Sequence, residues 1–162
     1  MSSDQLRREL DDAFRNRALL YLDIYRELSA EIGAERAEAV LSRAIYARGK
    51  AVALAAFTGF GPNDARALGE QFLAASPDQG RLFPTAVTRS ADGISFKVQA
   101  CPLKQAWTEA GVPDAEMATL CRIAGRFDNG LFEHSGAVVE TETWSPGTEG
   151  CCCISLRDRK QP

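Results

Sequence analysis

The sequence predicts an α+β fold, with helices in the N-terminal part and a roughly four-stranded antiparallel sheet, covered by helices, in the C-terminal part. Apolar residues recur at helical spacing up to about residue 80, and beyond it they alternate with polar residues as in half-buried strands. The predicted strands form two hairpins, which the helices between them bring into one sheet. We expect a single domain over residues 1–162, with a helical part (1–80) and a sheet part (81–157) that contains two inserted helices.

The N-terminal part contains three predicted helices, over residues 5–32, 34–57 and 65–75. Gly33 is placed to end the first helix. The residues that give the first helix its apolar spacing are Leu6, Leu10, Phe14, Leu20, Ile24 and Leu28. The second helix is small and apolar on almost every side over residues 51–56, so we expect this half to be buried or to lie in a subunit interface.

The C-terminal part alternates hairpins and helices. The predicted strands are 83–89, 93–100, 136–143 and 150–157, and the predicted helices between the hairpins are 102–110 and 114–126. Asp128-Asn129-Gly130 has the composition of a turn and is expected to follow the last helix. Residues 158–162 are expected to form a polar tail.

Charge and hydropathy exclude several classes of protein. A net charge of -3 argues against a general nucleic-acid binder, which would normally carry a basic surplus. The most apolar run, residues 51–60, is too short to span a bilayer, and the charged N-terminus does not resemble a signal peptide. We therefore expect a soluble, cytoplasmic protein without membrane or nucleic-acid partners.

The chain has five cysteines, of which three are consecutive at positions 151–153. An odd number with this spacing is a poor disulfide framework, so free thiols are expected. Paired C-x-x-C units are absent and His134 is the only histidine, so a metal site would require Cys101, Cys121 and the triple to converge. Motifs for nucleotide binding, zinc proteases and serine hydrolases are also absent. We predict no metal and no cofactor.

Cys101 lies where a strand should end and a helix should begin. Ile94, Phe96 and Val98 alternate with polar residues, and Pro102 suits the first turn of a helix. A thiol at a helix N-terminus has a lowered pKa and is more nucleophilic, so Cys101 is a candidate reactive residue. The alternative is a small residue that fills a tight junction.

Other candidate residues lie on the last two strands and near them. Glu140 and Glu142 share one face of their strand, either as paired carboxylates in a cleft or as solvated groups of an edge strand. Cys151 and Cys153 should face one side of the last strand and Cys152 the other. The remaining candidates each have a structural alternative: His134 is either a base or a surface residue, and Trp107 and Trp144 either line a pocket or pack in the core.

Taken together, these features resemble the L-2-amino-thiazoline-4-carboxylic acid hydrolase family of small bacterial α+β proteins. The matching features are the strand leading into Cys101-Pro102, the helix to Gly111, Cys121 on the next helix, Thr141-x-Thr143, a glycine (Gly147 or Gly150) before the last cysteines, Gly33-x-Glu35-Arg36-Ala37 and Gly49. The resemblance spans most of the chain.

The resemblance implies hydrolytic opening of a cyclic amidine-like thiazoline carboxylate, a small-molecule substrate, to an N-carbamoyl cysteine. In this hypothesis Cys101 is the nucleophile or a polar wall, and Glu140 or Glu142 is the base that activates water. Arg122 or Arg126 binds the substrate carboxylate. The full set of predicted substrate-binding residues is Trp107, Cys121, Arg122, Arg126, Cys151 and Cys152.

Two other interpretations stand beside the enzyme. One is a non-catalytic sensor domain that binds a small molecule, a tetrapyrrole or a metal through its cysteines. The other is an interaction domain that forms a homodimer through the apolar surface of residues 51–60.

Overall fold

The computed structural model describes residues 2–159, and the end of the predicted polar tail, residues 160–162, lies outside them. The described chain has the predicted α+β architecture, with helices first and a four-stranded antiparallel sheet after them. The helices are α1 (Ser3–Ile32), α2 (Ala34–Ala56), α3 (Ala65–Ala74), α4 (Pro102–Glu109) and α5 (Asp114–His134), with a short 3-10 turn at Pro77–Gly80. The strands are β1 (Thr85–Arg89), β2 (Gly93–Val98), β3 (Val138–Glu142) and β4 (Cys153–Arg157).

The four strands lie in the order β1-β2-β4-β3, and each neighbouring pair is antiparallel. The two hairpins form one sheet, as the sequence predicts; they join through β2 and β4, and β3 is an edge strand. Phe96 of β2 lies opposite Ile154 of β4, and both are buried together with Ile94 and Leu156. These side chains pack with residues of α3 and α5 in an aromatic-rich core under the sheet.

The buried face of α1 differs from the predicted one. Phe14, Ala18, Leu22 and Tyr25 are its buried residues, whereas the predicted core residues Leu6, Leu20 and Ile24 are about half exposed. Ala18 lies at the contact between α1 and α4. The indole N–H of Trp107 on α4 donates to the Ala18 carbonyl oxygen at 2.7 Å. A partner for that N–H makes full burial of Trp107 possible.

Helices α2 and α5 cross at a pair of glycines, and this contact overturns a predicted turn. A Cβ on Gly49 would overlap the carbonyl oxygen of Phe127, and a Cβ on Gly130 would overlap that of Tyr46. Gly130 is thus required for close backbone approach inside a continuous helix. The predicted turn at residues 128–130 and the predicted helix end at 126 are therefore wrong, because α5 runs on to His134.

The second half of α2 is open on one side. Ala53 is buried, but Leu54 is 63% exposed and its neighbours Ala51, Ala55 and Ala56 are exposed as well. Of the two alternatives for residues 51–56, full burial within the chain is therefore wrong. A subunit interface stays a prediction.

Candidate functional site

Cys101 occupies the predicted junction between a strand and a helix. Strand β2 ends at Val98 and α4 begins at Pro102, so Cys101 is the residue that caps the N-terminus of α4. Proline at the first helical position has no N–H to leave unpaired there, which fixes where the helix starts. The thiol of Cys101 is half-buried in this turn.

A cavity of about 390 Å³ opens beside Cys101, between the first part of α1, the segment before β1 and the first turns of α4. Its volume is in the range of small-molecule sites. Its lining residues are Asp11, Asp12, Arg15, Arg81, Leu82, Pro84, Ala100, Cys101, Pro102, Gln105, Ala106 and Glu109. Cys101 is thus the one predicted site residue in its wall, among charged groups that the sequence analysis did not single out.

Behind Cys101 the fold gathers three more sulfurs, and we call Cys101, Cys121, Cys151 and Cys152 the thiol cluster. Burial raises the pKa of Cys121, and repulsion from the other three cluster sulfurs when they are ionised adds to that rise, so Cys121 lies within electrostatic range of all three. The backbone N–H of Cys101 in turn lowers the pKa of Cys151. Strand β4 begins only at Cys153, so Cys151 and Cys152 belong to the segment that leads into it.

Burial dominates the ionisation of the cluster. It raises the pKa of Cys101 to about 11 and the pKa values of Cys121 and Cys152 to about 12. The predicted lowering of the Cys101 pKa is wrong, because the N–H groups of Lys104 and Leu103 at the helix terminus only partly offset the desolvation. The cluster is therefore protonated at neutral pH.

Asp128 is the acid nearest this cluster, and the sequence analysis did not select it. Burial raises the pKa of its carboxyl to about 7, and its negative charge raises the pKa values of Cys101 and Cys152. It makes no hydrogen bond or ion pair to the rest of residues 2–159. Asp128 follows Cys121 by seven residues, two helical turns, so both side chains lie on one side of α5. That spacing is a signal once α5 is known to be continuous.

Lys104 brings a positive charge to the same place. Its ammonium donates to the Gly150 carbonyl oxygen at 3.3 Å and lies 4.6 Å from the ring centroid of Trp144. This charge opposes the raised pKa values of Cys151 and Cys121. Lys104 therefore ties α4 to the segment that carries Cys151. Lys97 brings a second cation to the cluster, since its ammonium donates to the Cys151 carbonyl oxygen at 3.2 Å.

The glutamates predicted as paired carboxylates lie elsewhere. Glu140 and Glu142 do share one face of β3, but that face is exposed and β3 is the edge of the sheet. The side chain of Glu140 is 65% exposed, and the nearest oxygen of its carboxylate is 3.7 Å from a guanidinium nitrogen of Arg157. Neither glutamate lines the cavity. Their arrangement is that of solvated groups on an edge strand.

The predicted arginine clamps also lie away from the cavity. Arg122 donates to both carboxylate oxygens of Glu38 at 2.8 and 2.9 Å, and Arg126 donates to Asn129 at 3.2 Å. Trp107 is fully buried in the helical core, so it packs. The ring Nδ1 of His134 lies 3.0 Å from the Gly130 carbonyl oxygen at the end of α5.

Within residues 2–159 no three histidine, cysteine or acidic side chains are arranged to hold a metal ion. In the same range, no helix combines the length and the apolar character needed to cross a membrane.

Comparison with known proteins gives one match. A sequence model of the L-2-amino-thiazoline-4-carboxylic acid hydrolase family matches residues 13–153, which is nearly the whole chain. The match covers the thiol cluster, Asp128 and the cavity-lining residues from Arg15 onward, whereas Asp11 and Asp12 precede it. No match was found among the curated proteins or among the solved structures.

Proposed function

The chain belongs to the L-2-amino-thiazoline-4-carboxylic acid hydrolase family, and from this premise we propose that it hydrolyses the ring of a 2-amino-thiazoline-4-carboxylate. Water adds to the ring carbon between nitrogen and sulfur, and the bond from that carbon to sulfur breaks. The ring nitrogen stays attached to the carbon, so the product is an N-carbamoyl cysteine with a free thiol. One water molecule is consumed, and no oxidant, reductant or cofactor takes part.

The observation that supports this proposal is that the thiol lining the cavity feels the charge of a carboxyl with a pKa near neutral, although that carboxyl does not itself line the cavity. Cys101 lines the cavity, and Asp128 stands within electrostatic range behind it. Because burial raises the pKa of Asp128 to about 7, its carboxyl can both accept and return a proton near neutral pH. The reaction needs both steps, since the attacking group loses a proton and the departing sulfur gains one.

We assign Cys101 to the reacting carbon and Asp128 to proton transfer, in place of the glutamates of β3. The Cys101 sulfur bonds to the ring carbon while the bond from that carbon to the ring sulfur breaks and the departing sulfur gains a proton. Water then adds to the same carbon and displaces Cys101, which restores the thiol. With its pKa at about 11, Cys101 is a thiol until a base removes its proton. Asp128 is the acid that influences the pKa of Cys101, and the N–H groups of Leu103 and Lys104 at the start of α4 stabilise charge that develops on the sulfur. If Cys101 is only a polar wall, Asp128 activates the water directly.

A binding domain without turnover is the second candidate, and one observation favours it. Burial raises the pKa values of four thiols, and a protonated thiol is a poor nucleophile. Such a domain would hold the same ring in the cavity and release it unchanged.

Direct assay separates the two candidates. The purified protein is incubated with L-2-amino-thiazoline-4-carboxylate, and N-carbamoyl-L-cysteine is measured by mass spectrometry, which is insensitive to the thiols of the protein. We expect product in proportion to enzyme and time, and a loss of at least about 100-fold in kcat for Cys101→Ala if the thiol attacks the ring. Cys153→Ala is the matched control, because Cys153 lies on β4 outside the thiol cluster.

The assay and calorimetry distinguish the nucleophile, the water mechanism and the binding domain. Full turnover by Cys101→Ala would remove the nucleophile and leave the water mechanism. Saturable binding of the ring by calorimetry without any product would reject the hydrolase and favour the binding domain.

A further inference from the structure

The charges around the cavity have a pattern that the predicted site residues do not explain. Arg15 and Arg81 line it, together with Asp11, Asp12 and Glu109. A cavity that only sheltered a reactive thiol would need no such charges. An apolar ligand would bind poorly, because it would desolvate the charges without pairing with them. Their pairing decides what the cavity can bind.

Two of the acids are neutralised by the two arginines. Arg81 donates to Asp11 at 2.7 Å and also pairs with Asp78, so each of its three guanidinium nitrogens has an acidic partner. Arg15 pairs with Glu109 through Nη1 alone. Within the described residues its Nε and Nη2 make no hydrogen bond, and the side chain is 49% exposed. Arg15 thus retains donors for a further carboxylate.

Asp12 takes no part in these ion pairs. It is exposed, lines the cavity and makes no ion pair or hydrogen bond to other residues in the range 2–159. Asp12 and Arg15 lie three residues apart on α1, so their side chains are neighbours on one helix face. The cavity wall therefore offers one uncompensated carboxylate next to one guanidinium with free donors.

We propose that Asp12 and Arg15 select a small zwitterion, a ring that carries a protonated amidine and a carboxylate, and hold it against Cys101. Arg15 binds the carboxylate through its free N–H groups, and Asp12 binds the amidinium. This inference rests on the proposed function for the identity of the ring, and it transfers carboxylate binding from Arg122 and Arg126 to Arg15. Glu109 competes with the substrate carboxylate for Arg15.

Three ring compounds test the two contacts separately: L-2-amino-thiazoline-4-carboxylate, 2-amino-2-thiazoline without the carboxylate, and 2-thiazoline-4-carboxylate without the amino group. Affinity is measured as KM where the ring is opened and as Kd by calorimetry where it is not. A protein that binds without turnover therefore still tests the inference, whereas the proposed function is tested by product alone.

We expect Arg15→Gln to weaken the full compound by about tenfold or more and to change affinity for 2-amino-2-thiazoline by less than about twofold. Asp12→Asn should weaken both amino compounds and spare 2-thiazoline-4-carboxylate. Glu109→Gln should tighten both carboxylates, because it frees Arg15. The matched controls are Arg26→Gln and Asp23→Asn, which remove an arginine and an acid from α1 outside the cavity.

Several results would overturn the assignment. Equal weakening of all three compounds by Arg15→Gln would mean a structural effect, and so would a gain by Glu109→Gln that is the same for the compound without a carboxylate. Loss of carboxylate affinity in Arg122→Gln with Arg15→Gln unaffected would return that role to Arg122. If Arg15→Gln does not fold, Arg15→Lys and Glu109→Gln carry the same test.

Discussion

Two acidic regions of this molecule have the same chemical groups and opposite environments. Asp128 lies on α5 beside four thiols, partly withdrawn from water, and has no ion-pair partner among residues 2–159. Glu140 and Glu142 lie on the outer face of the edge strand β3, exposed to solvent, and Glu140 has Arg157 nearby. Cys101 of the first region lines the cavity, whereas Asp128 and the two glutamates do not.

The difference shows that burial, rather than the presence of paired carboxylates, gives an acid its use near neutral pH. Desolvation raises the pKa of the Asp128 carboxyl to about 7, whereas the two glutamates are exposed to solvent. The same desolvation keeps the thiol cluster protonated. Burial therefore raises the pKa of both the proposed base, Asp128, and the thiols near it. Substitutions of Asp128, Glu140 and Glu142 test this contrast between a buried acid and two exposed ones.

The largest expected effect is on catalysis. Asp128→Asn removes the proposed base while keeping the size of the side chain, so kcat should fall by about 10²- to 10⁴-fold. Glu140→Gln and Glu142→Gln should change kcat by less than about twofold. Product formation from L-2-amino-thiazoline-4-carboxylate measures all three variants under the same conditions.

The pH profile adds a readout that a structural defect would not reproduce. Because the base must be ionised, the wild-type rate should rise with pH through about 7 and then level off. A large loss in Glu140→Gln, with Asp128→Asn active, would reverse the comparison and restore the glutamate assignment.

The next effect is on thiol reactivity. A rise in pKa to about 11 or 12 lowers the thiolate fraction at neutral pH by about 100-fold or more, so iodoacetamide should modify Cys101, Cys121 and Cys152 at least that much more slowly than free cysteine. Peptide mapping after alkylation at pH 7.5 measures each site. The protein unfolded in guanidinium is the control, in which all sites should react at the ordinary rate.

One rapidly alkylated cluster thiol in the folded protein would contradict the raised pKa values. Fast reaction at Cys101 alone would support the original expectation of an activated nucleophile at a helix N-terminus.

Much of this site could be predicted, and the parts that could not share one cause. The alternation before Cys101 and the proline after it define the junction from local sequence alone, and the structure confirms it. Asp128 was missed because Asp-Asn-Gly has the composition of a turn, whereas a glycine in a helix costs only about 1 kcal/mol. Packing of Gly130 against the backbone of α2 offsets that cost, and it is a contact between residues far apart in sequence.

The glutamates show the complementary limit. Alternation correctly predicts that Glu140 and Glu142 share a face, but it does not say whether that face meets a cavity or solvent. The strand order answers that question, because β3 is at the edge of the sheet. Its inward-facing residue Thr141 accepts a hydrogen bond from Asn129 of α5, so the opposite face, with the glutamates, meets solvent. Local sequence carries no information about that order.

A smaller effect is expected on the pH dependence of stability. An unfolded aspartate titrates near 3.8 and Asp128 in the folded protein near 7, so between these values the folded state keeps a proton that the unfolded state has lost. The free energy of unfolding contributed by Asp128 therefore falls as pH rises from about 4 to 7 and is constant above that. The full shift corresponds to about 4 kcal/mol, and partial solvent exposure reduces the expected fall to about 2 kcal/mol.

Urea denaturation of the wild type and of Asp128→Asn at several pH values measures this contribution as a difference between two curves. The difference cancels the titration of every other group. Curves that stay parallel from pH 4 to 7 would mean that Asp128 is solvated like the glutamates of β3, and the contrast between the two regions would disappear.

The smallest effect is expected on the open face of β3. The pair between Glu140 and Arg157 has a closest separation of 3.7 Å and both side chains are more than 60% exposed. An exposed pair of this kind contributes about 0.5 kcal/mol or less, and salt screens it. A double-mutant cycle with Glu140→Gln and Arg157→Gln, followed by urea denaturation at low and high salt, measures the coupling. A coupling above about 1 kcal/mol that survives high salt would mean that this face is covered in solution, and β3 would then be part of an interface.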